Sequence, residues 1–407
     1  MTSPQAYRQY TLGAARASFV IAAAALPLST AATNTFAVLG FLAWAISGTW
    51  REATRAVAAE PAAWLGWALF GLLALGIAWS IATPREAGAA LLKYRELVLF
   101  GIVLYVFADA RWRARLLGGF LVGCLVLLAL SFAVRYGWLD FVDERGFSSP
   151  ENAVLLKNPI THGLMMSLLA FGCAVYALRG TRGQRWTFGV LAVLAAANAW
   201  LAVQSRTGYL VLVVLLLWLA WWRGAWKGLA AALVLGAALL AAAWQWAPVF
   251  QSRVAQAFDE ARDYRLGPPG DTSIGSRFHF WKRSGEWLVQ HPVLGAGTGG
   301  WTEAFYQATE DDGAYMHNRD RNHPHSEYVH LAVQLGPMGA LLYAALMLVA
   351  FVRAARLEGE HAALARGLVI AFAVGSLFND FMFDTTEGHL WALVGGALFA
   401  ATPRKLF

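Results

Sequence analysis

The sequence predicts an all-α integral membrane protein with about twelve transmembrane helices, and three observations support this fold class. Hydrophobic residues make up 58% of the 407 residues, and the charged share of 14% is about half of the roughly 25% that soluble domains carry. The mean hydropathy is +0.49, and apolar segments recur that approach the ~20 residues needed to cross a bilayer. An ordinary soluble globule and a disordered chain are therefore excluded.

The predicted spans follow one another closely and are separated mostly by short polar breaks. They cover residues 13–29, 33–50, 63–82, 90–108, 114–134, 160–178, 186–204, 207–222, 227–247, 328–352, 363–379 and 388–402. The first span resembles a signal peptide, because Arg8 and Arg16 precede its apolar stretch. A second span follows at once, so we expect a retained helix.

The distribution of Lys and Arg predicts the orientation, because short cytoplasmic loops carry an excess of them. One side of the predicted topology has 17, the short loops of the other side have 7, and the remaining 8 lie in one long loop that this rule does not count. Both termini are therefore predicted to be cytoplasmic. The same bias accounts for most of the +7 net charge. The sequence has no basic helix interleaved with aromatic residues, so nucleic-acid binding is not expected.

The predicted topology divides the chain into three parts. Residues 1–247 form the first nine spans, residues 248–327 form a periplasmic loop that carries catalytic residues, and residues 328–407 form the last three spans. Within the loop, apolar residues at near-helical spacing predict two amphipathic helices, at 249–262 and at 276–290. A loop of this length is usually functional when it is ordered.

The densest polar segment of the chain, residues 322–330, lies where the long loop re-enters the membrane. It contains His323, His325 and His330, whose spacing does not fit a zinc-binding H-E-x-x-H helix. Each histidine could be a packed, hydrogen-bonded residue at the membrane boundary. Histidine is also the commonest general base near neutral pH, so a catalytic role is the competing interpretation.

Arginines in outward positions are candidates for binding an anion. Arg206 lies between Ser205 and Thr207, and Arg277 lies at the start of the second amphipathic helix. A guanidinium group binds phosphate through two hydrogen bonds and stays protonated. The alternatives are a snorkelling side chain for Arg206 and a basic surface against anionic lipid around Arg277.

Two further motifs have structural explanations that we favour. The run Gly295–Gly300 resembles a phosphate-binding loop, but it lacks the preceding strand and the following Lys-Ser/Thr, so we interpret it as a tight turn. Asp311 and Asp312 resemble acidic pairs that hold divalent metals, but they lie in a polar run typical of a solvated loop.

These residues together resemble the O-antigen ligase family. His325-Ser326, nine residues, Gly336, two residues and Gly339 match that family's signature. Arg277, Trp281 and the run 291–297 are similar to the family's segment before its histidine, and the turn 205–208 resembles the turn with the family's membrane arginine. The layout of twelve spans with one large loop between spans nine and ten also matches.

The resemblance implies a GT-C-like fold and transfer of a glycan from undecaprenyl diphosphate to a sugar hydroxyl of the lipid A-core in lipopolysaccharide biosynthesis. It also implies a multi-pass protein of the bacterial inner membrane, in contact with membrane lipids, whose active site faces the periplasm. O-antigen polymerases and protein O-oligosaccharyltransferases share this loop, so they remain alternatives. A lipid-linked glycan transporter is the alternative outside enzymes, although transporters place ionisable residues near the bilayer midplane.

The expected mechanism assigns one role to each group of residues. Arg206 and Arg277 stabilise the leaving diphosphate, and His325 accepts the proton of the attacking hydroxyl, with inversion at the anomeric carbon. No metal is expected to be required, because the two guanidinium groups stabilise the diphosphate, and no nucleotide cofactor is expected, because the lipid carrier is already activated. Further substrate contacts are expected from residues near these three, namely Arg265, Ser205, Thr207, His323 and Ser326.

Overall fold

The computed structural model of the protein describes residues 4–140, 148–149, 152–246, 255, 259, 273–310 and 323–401, and these residues are organised as helices. In chain order the helices are α1 (Pro4–Ala25), α2 (Thr30–Ile46), α3 (Trp50–Ala59), α4 (Pro61–Gly76), α5 (Pro84–Lys93), α6 (Glu96–Val106), α7 (Ala110–Arg135), α8 (Pro159–Arg179), α9 (Arg182–Ala197), α10 (Arg206–Trp246), α11 (Ser273–Gln290), α12 (Trp301–Ala308), α13 (Glu327–Leu335), α14 (Pro337–Ala354), α15 (Gly359–Gly375), α16 (Thr385–Leu390) and α17 (Gly396–Phe399). The predicted all-α class is confirmed.

Several of these helices are suited to cross a membrane. Among the described residues, six are long and apolar enough, and the bent pair of α2 and α3 would make a seventh. The six segments are Pro61–Trp79, Ala110–Arg135, Pro159–Arg179, Arg182–Ala202, Arg206–Ala238 and Pro337–Ala354. The chain is therefore a multi-pass membrane protein, while the total of twelve spans, the orientation and the three-part division stay predictions.

Local sequence explains where the helices begin and break. Asn158 accepts a hydrogen bond from the backbone N–H of Thr161 at 2.8 Å, and Pro159 follows it in the first turn of α8. Within α10 the backbone leaves helical geometry at Ala225, where φ is 46°. This break coincides with the boundary between predicted spans eight and nine.

Helix packing brings the long loop against the membrane helices. α8 packs against α9 and α10, and α14 packs between α4 and α15. The loop helices α11 and α12 share a small core of Phe280, Trp301 and Phe305, and Val333 of α13 belongs to the same core. α13 therefore connects the loop to the membrane helices.

Of the two amphipathic helices predicted in the long loop, only the second lies within the described residues. The second predicted amphipathic helix is confirmed as α11. The first one, apart from single residues, lies outside the described residues, as do Arg265, Asp311 and Asp312.

Candidate active site

A glycine-rich turn at residues 291–300 fixes the loop to the membrane helices. The backbone N–H of Ala296 donates to the carbonyl of Val333 at 2.7 Å, and that of Gly299 donates to the Gln334 side chain at 2.7 Å. The N–H of Thr298 donates to the carbonyl of Gly76 at 3.1 Å. These amides have protein acceptors, so the structure confirms a tight turn in place of a phosphate-binding loop.

The histidine segment lies immediately before α13. Trp281 of α11 donates its indole N–H to the carbonyl oxygen of Pro324 at 3.1 Å, which ties the loop helix to this segment. His325 has a positive φ of 55°, which is uncommon for a residue with a side chain. Its ring stacks on Phe280, with 6.2 Å between ring centroids, and lies 4.5 Å from the ring of His323.

A buried aspartate, Asp380, organises the histidines. It lies in the segment between α15 and α16 and is 0% exposed. Its Oδ2 accepts a hydrogen bond from Nδ1 of His323 at 2.7 Å, and its Oδ1 lies 3.1 Å from Nδ1 of His330. Sequence reasoning assigned Asp380 no role, although the polar residues Asn379 and Asp380 interrupt two apolar spans and were a usable signal.

The charges of this pair reinforce each other. Burial alone would lower the pKa of His323, but the hydrogen bond and charge of Asp380 outweigh burial and raise it. Burial likewise opposes ionisation of Asp380, yet the two histidines hold the pKa of its carboxyl well below the usual range. Each of the two groups therefore favours the charged form of the other.

Glu327, the first residue of α13, holds the Asp380 segment in place. Its carboxylate accepts hydrogen bonds from the Tyr94 hydroxyl at 3.0 Å and from the backbone N–H groups of Met382 at 2.8 Å and Phe383 at 3.2 Å. Burial and the nearby Asp380 raise the pKa of Glu327 to about 8. Glu327 therefore has a structural role, since its hydrogen bonds fix the turn that carries Asp380.

Arg206 and Arg277 line one cavity, although 70 residues of sequence separate them. The cavity has a volume of about 290 Å³, and its remaining lining is Thr207, Leu210, Phe278, Trp281 and Phe378. Burial lowers the pKa of Arg277, the charge of Arg206 lowers it further, and Asp380 opposes both effects. Two guanidinium groups above an apolar lining suit an anionic headgroup that carries a lipid chain.

A direct hydrogen bond connects the arginine cavity to the Asp380 segment. The side-chain amide of Asn379 donates to Oγ1 of Thr207 at 2.9 Å. The hydroxyl of Ser205 accepts from the N–H of Gly208 at 3.0 Å, and that of Ser326 donates to the carbonyl of Ser376 at 3.4 Å. Ser205 and Ser326 thus have hydrogen bonds within the chain, and Thr207 also faces the cavity.

A second group of polar residues surrounds the buried side chains of Lys157 and Glu387. Lys157 donates from Nζ to the hydroxyls of Thr30 at 2.7 Å and Thr386 at 3.3 Å. Glu387 accepts a hydrogen bond from the Thr161 hydroxyl, and burial raises the pKa of this glutamate to about 7. Sequence reasoning did not identify this group, because its members come from three separate segments.

His323, His325 and Asp380 are also the three residues that could hold a metal ion. Each offers one ligand atom, and these atoms lie within 4.8 Å of one another. In the described part of the chain, no other group of three or more histidine, cysteine or acidic side chains brings its ligand atoms this close together.

The comparison with protein families agrees with the sequence motifs. The comparison with curated proteins gave no match. The family match covers somewhat more than a third of the chain and includes Arg206, Arg277 and His325, whereas Asp380 lies beyond it. Residues 190–344 match the model described as O-antigen ligase, and over this part the chain resembles that family, as the His325 motif predicts.

Proposed function

We propose that the protein is an inverting, metal-independent O-antigen ligase of the bacterial inner membrane. It transfers a glycan from undecaprenyl diphosphate to a sugar hydroxyl of the lipid A-core, at a site that faces the periplasm. The family match supports a glycosyltransferase of ligase or polymerase type. The observation that carries the proposal is that Arg206 and Arg277 line the same cavity. Arg277 also interacts electrostatically with Asp380.

In the proposed reaction, the arginines act on the leaving group. The bond between the anomeric carbon and the diphosphate oxygen breaks, and the diphosphate leaves with the electron pair. Its growing negative charge meets two preorganised cations, Arg206 and Arg277, in a cavity with apolar walls. The apolar walls suit the first isoprene units of the carrier lipid.

His325 is the proposed base. The acceptor hydroxyl attacks the anomeric carbon from the face opposite the diphosphate, so the configuration inverts, and the hydroxyl proton passes to His325. The hydrogen bond from His323 to Asp380 favours the charged form of His323, so His325, whose ring lies beside it, is the imidazole that we assign as the proton acceptor. The constrained backbone of His325 and its stacking on Phe280 orient the ring.

The role tests use two variants with matched controls. His325→Ala should abolish transfer while donor binding stays nearly intact, and Arg206→Lys should lower the rate by ~10²–10³-fold, because an ammonium group lacks the planar fork. His361→Ala and Arg356→Lys should retain activity. Arg356 follows the C-terminal end of α14 and His361 lies in the first turn of α15, whereas the site is at the opposite ends of these two helices. Rates and donor binding are measured on purified, monodisperse protein, both with and without EDTA.

Different outcomes would contradict different parts of the mechanism. Near-normal turnover of His325→Ala would refute the base assignment and make His323 the next candidate. Unchanged activity of Arg206→Lys would return Arg206 to a snorkelling arginine. Loss of activity in EDTA that Mg²⁺ restores would contradict the proposal that two arginines replace a metal.

The acceptor and the class of reaction need a separate experiment. Lipid-linked glycan should be supplied with lipid A-core, with a second lipid-linked glycan, and with an acceptor protein in turn. Transfer to lipid A-core supports the ligase, and transfer to the other acceptors supports a polymerase or a protein O-oligosaccharyltransferase. Movement of the glycan lipid across liposome membranes without transfer would support a transporter instead.

A further inference from the structure

We propose that His323, His325 and Asp380 form a binding site for a divalent transition-metal ion of the Zn²⁺ type, and that an ion bound there blocks glycan transfer. The geometric basis is the distance between the three ligand atoms, which lie within 4.8 Å of one another. Zinc bonds of ~2.0–2.2 Å in a tetrahedral arrangement separate the ligand atoms by about 3.4 Å. No pair of ligand atoms therefore has to approach by more than about 1.4 Å to reach that geometry.

The carboxylate ligand is already oriented. Asp380 is fully buried, and its two oxygens point to different histidines, Oδ2 to His323 and Oδ1 to His330. His330 is itself 1% exposed, and its Nδ1 lies 3.1 Å from Oδ1, so its ring stays beside that oxygen while Oδ2 binds an ion. Such outer partners orient metal ligands and increase the affinity of metal sites.

The backbone also keeps the two histidine ligands together. Pro324 separates them by one residue, and Trp281 anchors the carbonyl of this proline. The rings of His323 and His325 lie with their centroids 4.5 Å apart and their planes at 74°. Little conformational freedom is therefore lost when both rings bind one ion.

The ligand types select the class of ion. Two imidazoles and one carboxylate suit Zn²⁺ or Co²⁺, whereas Mg²⁺ and Ca²⁺ prefer oxygen ligands alone. Arg277 and Lys93 both act electrostatically on this cluster and disfavour a further cation. We therefore expect a weaker affinity than that of structural zinc sites, which makes the ion a reversible inhibitor.

The inhibition half of the inference rests on the proposed function. A metal ion occupies the same imidazole lone pair that His325 needs to accept a proton. Zn²⁺ and the acceptor hydroxyl therefore compete for one nitrogen atom. Activity in EDTA and inhibition by Zn²⁺ are thus expected of the same enzyme.

Metal binding is measured directly on the full-length protein, after any histidine tag has been removed and bound metal has been stripped with EDTA. Co²⁺ serves as a spectroscopic probe, because its visible absorption reports tetrahedral coordination, and Zn²⁺ is titrated by calorimetry. The variants are His323→Gln, Asp380→Asn and the control His361→Gln. His323→Gln is included because His323 is partly exposed, so this change disturbs folding less than a change at Asp380.

We expect one equivalent of Zn²⁺ to bind to the wild type and to His361→Gln, with about tenfold or greater weakening in His323→Gln and Asp380→Asn. Saturating Zn²⁺ should slow transfer by the wild type ~10²-fold or more, since that is the usual contribution of a general base, and excess EDTA should restore the rate. Equal affinity of His323→Gln and the wild type, or the absence of a Co²⁺ spectrum, would overturn the site. Binding at the cluster without inhibition would leave the site in place and overturn both the blocking effect and the base role of His325.

Discussion

Gly336, the glycine of the His325 motif, offers a quantitative test of why that motif needs glycine. It lies between α13 and α14 with φ 68° and ψ −174°, a conformation that is essentially restricted to glycine. A Cβ atom at this position would lie 2.8 Å from the carbonyl carbon of Val293 and closer still to its oxygen. Backbone atoms cannot rotate out of the way, so Gly336→Ala must displace either α13 or the turn 291–300.

The expected cost has two parts. The backbone conformation alone costs an alanine ~1–3 kcal/mol. A carbon–carbon contact needs ~3.5 Å, so the carbonyl carbon alone requires the chains to separate by about 0.7 Å, and the nearer carbonyl oxygen requires more. Overpacking of this kind costs a further ~1–3 kcal/mol. Because His325 lies two residues before α13, a shift of about 1 Å should also lower the transfer rate, by up to about 10²-fold.

Gly359→Ala is the matched control. Gly359 also has a positive φ, of 59°, but a Cβ there would have no atom within 4 Å. Thermal unfolding in detergent and glycan transfer should be measured for both variants. We expect Gly336→Ala to be less stable by about 1–3 kcal/mol than Gly359→Ala and to be the slower enzyme. Equal stability and equal activity of the two variants would refute the steric explanation of the motif.

Three further predictions concern other parts of the molecule. The pKa of Glu387 is raised from 4.5 to about 7, so its contribution to the free energy of unfolding is complete below pH 4.5 and is lost as the pH rises to 7. Glu387→Gln should remove about 3 kcal/mol of this pH dependence. An unchanged pH profile of unfolding in the variant would contradict the assignment. Arg353 binds Glu60 through two hydrogen bonds of 3.0 and 3.2 Å, and Arg353→Ala should lower the free energy of unfolding by about 2 kcal/mol, less than for a fully buried pair; no change in the denaturation midpoint would show that the pair is dispensable. A cysteine introduced at Asp311 should react with a membrane-impermeant reagent from the periplasmic side, and protection by an intact inner membrane would reverse the predicted orientation.

Sequence alone was sufficient for the features that depend on local composition and spacing. Apolar length predicted membrane helices, and the helix α11 followed from apolar residues at near-helical spacing. The glycines of 295–300 predicted a turn, because glycine adopts the positive φ angles of a tight turn without steric cost, as Gly295 and Gly297 do. The motif around His325 also indicated the resemblance that the family comparison confirms.

Only the tertiary structure could decide which distant groups meet. Asp380 lies 57 residues after His323, and their contact depends on how α14 and α15 return the chain to the start of α13. In the sequence, Asp380 is one acidic residue in a polar break, which is also what a solvated loop contains. The pairing of Arg206 with Arg277 in one cavity likewise depends on where α11 packs. The physical reason is that helix periodicity encodes which face is buried, whereas the partner of that face is set by long-range packing among many apolar surfaces of similar composition.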